Sequence, residues 1–250
     1  MRCYHAAPMN KWLHVHPARR QPRLQLICFP HAGGTAGTFR PWAARLPGDV
    51  ELVAVEPPGR RGRLAERALA SLADLVDAIE PVIAPLLDRP FAFFGHSMGA
   101  IVAFELVRRL RARGRPLPAV LLVSGARAPQ IPRPEPGLRA LPDVELVNEL
   151  AALGGTSREI LREPELMQML LPSLRADLTA VETWRYAEGP PLEVPIFAFG
   201  GEGDVKVPRE HLDAWAAQTR GECRVRQFPG GHFYLLDHEA ALVESVASAL

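Results

Sequence analysis

One short segment constrains the fold of this chain more than any other. Residues 91–94 form an unbroken apolar run, the pentapeptide Gly-His-Ser-Met-Gly (residues 95–99) follows directly, and a helical apolar pattern starts at Met98. A serine at such a strand-to-helix junction lies in a tight, strained turn, and side chains at the two glycine positions would collide as the helix packs against the strand. The segment predicts an α/β fold in which the Ser97 hydroxyl projects above the sheet.

Short apolar runs alternate with helical periodicity along the rest of the chain. Strands are expected at residues 24–29, 51–55, 91–94, 119–123, 195–199 and 223–228, and helices at residues 39–46, 71–87, 98–111 and 237–249. Most of the strands are apolar on both faces, which is typical of parallel strands with helices on either side. Pro81 and Pro85 should kink the second helix or end it early. The expected fold class is α/β, with a mostly parallel central sheet flanked by helices.

A long interval interrupts this rhythm. About 70 residues separate the strand ending at Val123 from the next one at Pro195, where a single crossover usually needs far fewer. The interval opens with a proline-rich stretch and carries helical patterns at residues 144–153 and 165–184. We interpret residues 127–190 as a helical lid inserted within a single domain that spans residues 1–250.

The second helix of this insertion has more apolar residues than one buried stripe requires. Some of them should therefore face a substrate channel, where flexible methionines can adapt to different ligands. We expect Met167, Met169 and Phe233 on that channel. The alternative is that the methionines only attach the lid to the core.

Charge and cysteine content argue against several classes of protein. The 29 Lys and Arg residues nearly balance the 28 Asp and Glu residues, so no global charge favours a nucleic acid or a membrane surface as partner. Three cysteines offer neither a disulfide framework nor metal-ligand spacing, and residues 1–21 have no signal-peptide core. We expect a cytoplasmic protein without a metal. The densest run of basic residues comprises Arg108, Arg109, Arg111, Arg113 and Arg115. It is either a solvated end of a helix or a basic rim that binds an acidic partner.

A nucleophilic serine needs a base and an orienting acid, and in folds with this turn the acid comes next in the chain and the histidine last. Three of the eight histidines follow the acid candidates: His211, His232 and His238. Only His232 lies in a glycine-rich turn directly after a predicted strand; His211 and His238 fall in predicted helices and are expected to be surface residues. Asp204 follows the strand at residues 195–199, with Glu202 as its rival. We predict that Asp204 orients His232 and that His232 activates Ser97.

Backbone N–H groups are the expected donors to the oxyanion of an acyl-transfer reaction. Met98 begins a helix, whose positive end favours negative charge. The second donor should come from the loop at residues 30–34, Pro-His-Ala-Gly-Gly, where Ala32 is the candidate. The alternative is a plain turn in which the glycines serve only geometry. His31 and His96 are treated as supports, because neither follows a late strand.

These residues point to a serine hydrolase that transfers acyl groups, and the same triad cleaves esters, thioesters and amides. The alternative outside the enzymes is a binding module on this fold without catalytic activity. The presence of Ser97, Asp204 and His232 argues against it.

The sequence also resembles the type II thioesterases, the stand-alone editing enzymes of polyketide and nonribosomal peptide synthases, which have the α/β-hydrolase fold. The matching segments are residues 29–34, Pro58-Gly59-Arg60, residues 94–100 with Phe104-Glu105, residues 171–177 (LPSLRAD), residues 201–204 and residues 231–233. They extend from about residue 24 to the C-terminus. The segment at residues 171–177 is the most discriminating, because a generic esterase has no reason to carry it.

The resemblance implies Ser97, Asp204 and His232 as the triad, Ala32 and Met98 as oxyanion donors, and a lid over the channel for an acyl group and its phosphopantetheine arm. It implies an acyl or peptidyl carrier protein as partner, from which such enzymes remove stalled or misprimed acyl groups. Phosphopantetheine then belongs to the substrate, so we expect no cofactor, and we expect a monomer that binds neither nucleic acid nor membrane. A small-molecule carboxylesterase or an acyltransferase of the same fold remains the alternative.

Overall fold

A computed structural model describes residues 11–133, 137–155 and 163–250 and centres on a seven-stranded sheet. Its strands are β1 (Leu13–His16), β2 (Leu24–Phe29), β3 (Val50–Val55), β4 (Phe91–His96), β5 (Leu121–Ser124), β6 (Ile196–Gly201) and β7 (Cys223–Phe228). The order across the sheet is β1-β3-β2-β4-β5-β6-β7. All neighbouring pairs run parallel except β1, which is antiparallel to β3. The predicted mostly parallel sheet is confirmed, and β1 is an edge strand that the apolar pattern did not indicate.

Helices cover both faces of this sheet. They are α1 (Trp42–Arg45), α2 (Leu72–Ile83), α3 (Met98–Ala112), α4 (Asp143–Leu153), α5 (Pro164–Thr183), α6 (Arg209–Asp213), α7 (Tyr234–Asp237) and α8 (Glu239–Ala249). Short 3-10 turns occur at Ala36–Phe39, Arg61–Arg63, Ala84–Leu86, Leu138–Ala140 and Ala214–Gln218. The helix expected at residues 71–87 is capped by the Ser71 hydroxyl and stops being α-helical after Ile83, just ahead of Pro85.

The two faces of the sheet form two separate apolar layers. Side chains of α2 and α3 pack on one face against alternate strand residues such as Ile27 and Phe93. Side chains of α1 and α8 pack on the other face, against residues such as Cys28 and Phe94. Because successive side chains of a strand point to opposite faces, all six residues of β2 and of β4 are buried. This explains the unbroken apolar runs in the sequence.

The interval between β5 and β6 contributes α4 and α5, in agreement with the helical patterns at residues 144–153 and 165–184. These helices share a small apolar cluster of their own, formed by Leu146, Met167, Leu171, Leu174 and Leu178. Parts of the predicted insertion, residues 134–136 and 156–162, lie outside the described residues, as do residues 1–10 of the stretch read for a signal peptide. Among the residues that are described, no helix has the length and apolar character needed to cross a membrane.

We expect Gly99→Ala to destabilise the fold strongly. A Cβ at this position would overlap the main-chain carbonyl of Phe29, and backbone atoms of a central strand cannot move away. Overpacking of this kind costs about 1–3 kcal/mol or more. Thermal unfolding should show a large fall in Tm or loss of soluble protein.

Gly62→Ala is the matched control for that substitution. Nothing lies within 4 Å of a Cβ built at Gly62, so its Tm should stay close to wild type. Equal stability of the two variants would contradict the close packing of α3 against β2.

Candidate active site

Ser97 occupies a strained turn between β4 and α3. Its backbone has φ 54° and ψ −113°, a conformation that non-glycine residues rarely adopt and that clusters at functional sites. The Ser97 N–H donates to the carbonyl of Ser124 at the end of β5, 2.7 Å away. A Cβ at Gly95 would overlap the backbone of Gly99. The turn therefore exists only because both flanking positions are glycine.

Asp204 and His232 come together at the same edge of the sheet. Asp204 follows β6, His232 follows β7, and the distance from Nδ1 of His232 to Oδ2 of Asp204 is 2.6 Å. The second carboxylate oxygen of Asp204 accepts the N–H groups of Lys206 and Val207 at 3.0 and 3.3 Å. The rival acid Glu202 is exposed. The carboxylate next to the histidine is thus that of Asp204.

The surroundings of Asp204 keep its carboxylate charged. Burial by itself would raise the pKa of Asp204, but the hydrogen bond and charge of His232 and the two backbone N–H groups outweigh it and hold the pKa below its ordinary value. An ionised Asp204 accepts the Nδ1–H of His232 and leaves Nε2 with its lone pair free to take a proton. This is the tautomer that a general base requires.

Two further histidines lie beside His232. The ring centroids of His96 and His232 are 5.2 Å apart, and those of His31 and His96 are 5.9 Å apart. Burial, followed by the charges of His232 and Arg60, lowers the pKa of His31 to about 3. Burial also lowers the pKa of His96 well below its ordinary value. Both rings are therefore neutral near neutral pH.

His96 belongs to a buried hydrogen-bonded chain. Its Nδ1 lies 2.9 Å from the Ser124 hydroxyl, which in turn lies 2.6 Å from the hydroxyl of Tyr234. Ser124 ends β5 and Tyr234 starts α7, directly after the turn that carries His232. The chain of contacts connects the serine turn with the histidine turn through Ser124 at the end of β5.

A cavity of about 700 Å³ opens onto this group of residues. Ser97, His31, Ala32 and His232 lie on its wall. Its apolar lining includes Leu150, Leu153, Leu174, Leu178, Val181 and Phe233. The cationic side chains of Arg127, Arg133 and Lys206 also line it. Most of these residues come from the interval between β5 and β6, and of those only Leu174, in the segment at residues 171–177, belongs to a motif that the sequence singled out.

Two residues expected on the channel lie elsewhere. Met167 is 6% exposed and packs in the apolar cluster that joins α4 and α5. Met169 is 53% exposed and borders a separate groove next to Leu64 and Pro172. Met167 and Met169 are two positions apart, and side chains at that spacing in an α-helix are rotated by about 200° around the helix axis. The two methionines therefore cannot lie on the same face of α5. Phe233 does line the cavity, whereas Met167 fits the alternative role of attaching the insertion.

His211 also differs from its expected place. The sequence suggested a surface residue, but its side chain is partly buried on α6 and lines the cavity. Its Nδ1 is buried without a hydrogen-bond partner among the described residues.

The candidate oxyanion donors are Ala32, which lines the same cavity as Ser97, and Met98, which directly follows Ser97 as the first residue of α3. Neither backbone N–H donates to an acceptor within the described parts of the chain. The neighbouring N–H of Gly33, by contrast, donates to Asp177. Within the described residues, the N–H groups of Ala32 and Met98 thus have no protein acceptor.

The basic run on α3 lies far from the edge of the sheet that carries Ser97. The residues at positions 108–115 are at the C-terminal end of the helix that Ser97 precedes, about 20 Å away at 1.5 Å per residue. Arg109 and Arg113 form ion pairs with Asp77 and Glu80 respectively. Arg111 donates to the carbonyls of Pro190 and Pro191. These arginines join α3 to α2 and to the end of the insertion.

Within the described ranges, no group of three or more His, Cys, Asp or Glu side chains is arranged to hold a metal ion.

His31→Gln should leave the shape of the pH profile unchanged. His31 takes up a proton only near pH 3, so its charge is constant from about pH 5 to pH 9 and its removal changes no ionisation there. The measurement is kcat/KM against pH for both proteins. An acid limb that disappears or moves in the variant would show that His31 titrates in the working range.

Comparison with known proteins places this chain in a family. Residues 24–250 match the family model described as a thioesterase domain. Gramicidin S biosynthesis protein GrsT of Aneurinibacillus migulanus is 39% identical over 242 residues, which cover 97% of this chain and 94% of that protein. The type II thioesterase BorB from the borrelidin cluster superposes with a TM-score of 0.86 at 38% identity, over 98% of each chain. The RedJ thioesterase from the prodiginine pathway of Streptomyces coelicolor gives a TM-score of 0.86 at 36% identity, over 92% of this chain and 86% of RedJ.

These findings confirm the resemblance to the type II thioesterases of polyketide and nonribosomal peptide pathways and the predicted α/β-hydrolase fold. The chain belongs to the thioesterase family.

Proposed function

We propose that this enzyme hydrolyses acyl thioesters on the phosphopantetheine arm of carrier proteins, with Ser97 as nucleophile, His232 as general base and Asp204 as the orienting acid. The observation that carries the proposal is the 2.6 Å contact of Asp204 with His232, which lines the same cavity as the strained Ser97. The kinship with BorB and RedJ supports a thioester as the substrate.

The reaction proceeds in two halves. Nε2 of His232 takes the proton of the Ser97 hydroxyl, and the oxygen attacks the thioester carbonyl to form a tetrahedral intermediate. When this collapses, the carbon–sulfur bond breaks and the thiol leaves with the proton from His232. Water then attacks the acyl-serine with His232 as base again, which releases the carboxylic acid and restores Ser97.

The backbone N–H groups of Ala32 and Met98 would stabilise the oxyanion of both tetrahedral intermediates. Their lack of an acceptor within the described residues supports this role. The N-terminal end of α3 adds the positive end of a helix dipole at Met98. Donors that are held in place before the reaction need no reorganisation when negative charge develops.

The insertion would act as the lid of an acyl channel. Leu150 of α4 and Leu174, Leu178 and Val181 of α5 turn apolar side chains to the cavity that holds Ser97. A volume of about 700 Å³ is typical of a small-molecule site, and an apolar wall suits an acyl chain. We therefore place the channel on these residues and on Phe233 rather than on the two methionines.

A carrier protein would deliver the substrate on an anionic arm. Arg127, Arg133 and Lys206 give the cavity wall a positive charge that suits a phosphate. Burial, together with the neighbouring Arg127, lowers the pKa of Arg133 to about 10, so that it is still a cation at neutral pH. Phosphopantetheine enters here as part of the substrate, and the proposed chemistry needs no cofactor.

Ser97→Ala should abolish hydrolysis of an acyl-carrier thioester. Loss of the nucleophile in a triad that acts as a unit lowers kcat by about 10⁴ or more, and Asp204→Asn should be less damaging. Ser248→Ala, an exposed serine on α8, is the matched control and should keep wild-type turnover. Release of the free thiol measures the rate, and wild-type hydrolysis by the Ser97→Ala protein would overturn the assignment.

The same assay separates the alternative activities. A carboxylesterase would cleave a lipophilic p-nitrophenyl ester faster than the carrier thioester. An acyltransferase would yield acyl amides or esters when amines or alcohols are added.

Leu150→Trp should shorten the acyl chains that the enzyme accepts. Leu150 is partly buried on the cavity wall, so a larger side chain can extend into the cavity and exclude long acyl groups first. We expect hydrolysis of long acyl thioesters to fall about tenfold or more while acetyl hydrolysis and the Tm change little.

Met169→Trp is the control for chain length. Met169 is exposed and borders a different groove, so this variant should keep the wild-type preference. A loss of long substrates in Met169→Trp but not in Leu150→Trp would contradict the channel proposed here.

A further inference from the structure

Two segments that carry the family resemblance have no part in the chemistry described so far, and the structure brings them into contact. Nη2 of Arg60, in the segment Pro58-Gly59-Arg60, donates to Oδ1 of Asp177, in the segment at residues 171–177, over 2.9 Å. The two residues are 117 positions apart in the chain. Each side chain is 2% exposed. Because burial of two charges is costly, the other groups that this ion pair binds indicate its role.

The pair holds the loop that follows β2. Oδ2 of Asp177 accepts the N–H of Gly33 at 2.7 Å, and Nη1 of Arg60 donates to the carbonyl of Gly34 at 2.8 Å. Each partner of the ion pair therefore also binds one backbone group of the same loop. Gly33 and Gly34 directly follow Ala32, the candidate oxyanion donor.

The loop is a β-turn whose central peptide can adopt two orientations. The N–H of Gly34 donates to the carbonyl of His31 at 2.8 Å, and Gly33 has φ +74°, as the third residue of a type II turn requires. Type I and type II turns differ in the orientation of the peptide between the second and third residues, here Ala32 and Gly33. The carboxylate of Asp177 accepts the N–H of that peptide and so selects one orientation.

Asp177 also belongs to the insertion. It lies on α5, one turn after Leu174, whose Cδ1 is 3.1 Å from the position of a Cβ at Gly33. Helix α5 therefore reaches the loop through one polar and one apolar contact. A shift of α5 away from the sheet would remove both.

We propose that Asp177, together with Arg60, is a positioning residue that ties the conformation of the Ala32–Gly33 loop to the seating of α5, so that the oxyanion donor at Ala32 is in place only when the insertion is closed. The proposal rests on the proposed function of Ala32. It gives Asp177, in the segment at residues 171–177, a role in catalysis that needs no contact with the substrate.

Removal of one partner alone is a poor test, because the remaining buried charge would destabilise the fold. Two double variants avoid this: Arg60→Met/Asp177→Asn and Arg60→Met/Asp177→Leu. Both remove the two charges and keep side chains of similar size. Only the asparagine variant retains a carbonyl oxygen that can accept the Gly33 N–H, so the comparison isolates this one hydrogen bond.

The assay is hydrolysis of a small acyl thioester of N-acetylcysteamine, together with inhibition by a trifluoromethyl ketone, which forms a tetrahedral adduct with the serine. We expect kcat of the leucine variant to be about tenfold or more below that of the asparagine variant, with similar KM and Tm. The affinity for the ketone should fall by a similar factor. Equal kcat and equal ketone affinity in the two double variants would overturn the proposal.

A matched control lies on the same helix. Arg175 of α5 pairs with Asp143 of α4, which joins two parts of the insertion but does not reach the loop. Arg175→Gln/Asp143→Asn should therefore keep the kcat and the ketone affinity of the wild type. A loss equal to that of the leucine variant would mean that any loosening of the insertion has this effect, and would refute a specific role for Asp177.

Failure of the proposed function can be told apart from failure of this inference. If the wild-type protein cleaves no thioester, the proposed function is wrong. The rate at which a fluorophosphonate labels Ser97 then still compares the two double variants, because the phosphonyl oxygen uses the same backbone donors. Slower labelling of the leucine variant would support the positioning role, and equal labelling would reject it.

Discussion

The site depends on a close approach between two backbones. Gly99, in the first turn of α3, lies against the main-chain carbonyl of Phe29 at the end of β2, in a space that has no room for a Cβ. This contact brings the start of α3 next to the loop after β2. Ser97, which directly precedes α3, and Ala32, on the loop after β2, can then line one cavity. The positive φ of Ser97 is the local strain that the tight junction imposes.

The charge distribution around Ser97 follows from burial. Asp204 is the carboxylate next to His232, and its pKa is held low by hydrogen bonds even though burial opposes this. His31 and His96 are buried more deeply than His232 and are neutral for that reason. The cation that the proposed mechanism forms on His232 would therefore lie beside the charged carboxylate of Asp204 and the neutral rings of His31 and His96. Such an arrangement favours the protonated intermediate of a general base.

The insertion combines apolar and ionic contacts with different consequences. Its apolar cluster joins α4 to α5 and does not depend on the orientation of any polar group. The Arg60–Asp177 pair is directional and binds two backbone groups of the loop beside Ala32. Burial raises the pKa of the Asp177 carboxyl, and the charge of Arg60 and the N–H of Gly33 counteract this. Specific geometry, rather than net stability, is what a buried pair of this kind is suited to provide.

The sequence by itself determined the features that are encoded within a few residues of each other. The strand, the two glycines and the helix around Ser97 leave one local conformation, and the turns after β6 and β7 bring Asp204 and His232 to the same sheet edge because parallel strands end there together. Only the tertiary structure determined which side of α5 faces the cavity. The sequence led us to expect Met167 and Met169 on the cavity wall, but Leu174 and Leu178 line it. The tertiary structure also determined that Arg60 pairs with Asp177, which is 117 residues away in the chain. The rotation of a helix about its axis and the pairing of distant charges depend on packing, which no local pattern encodes.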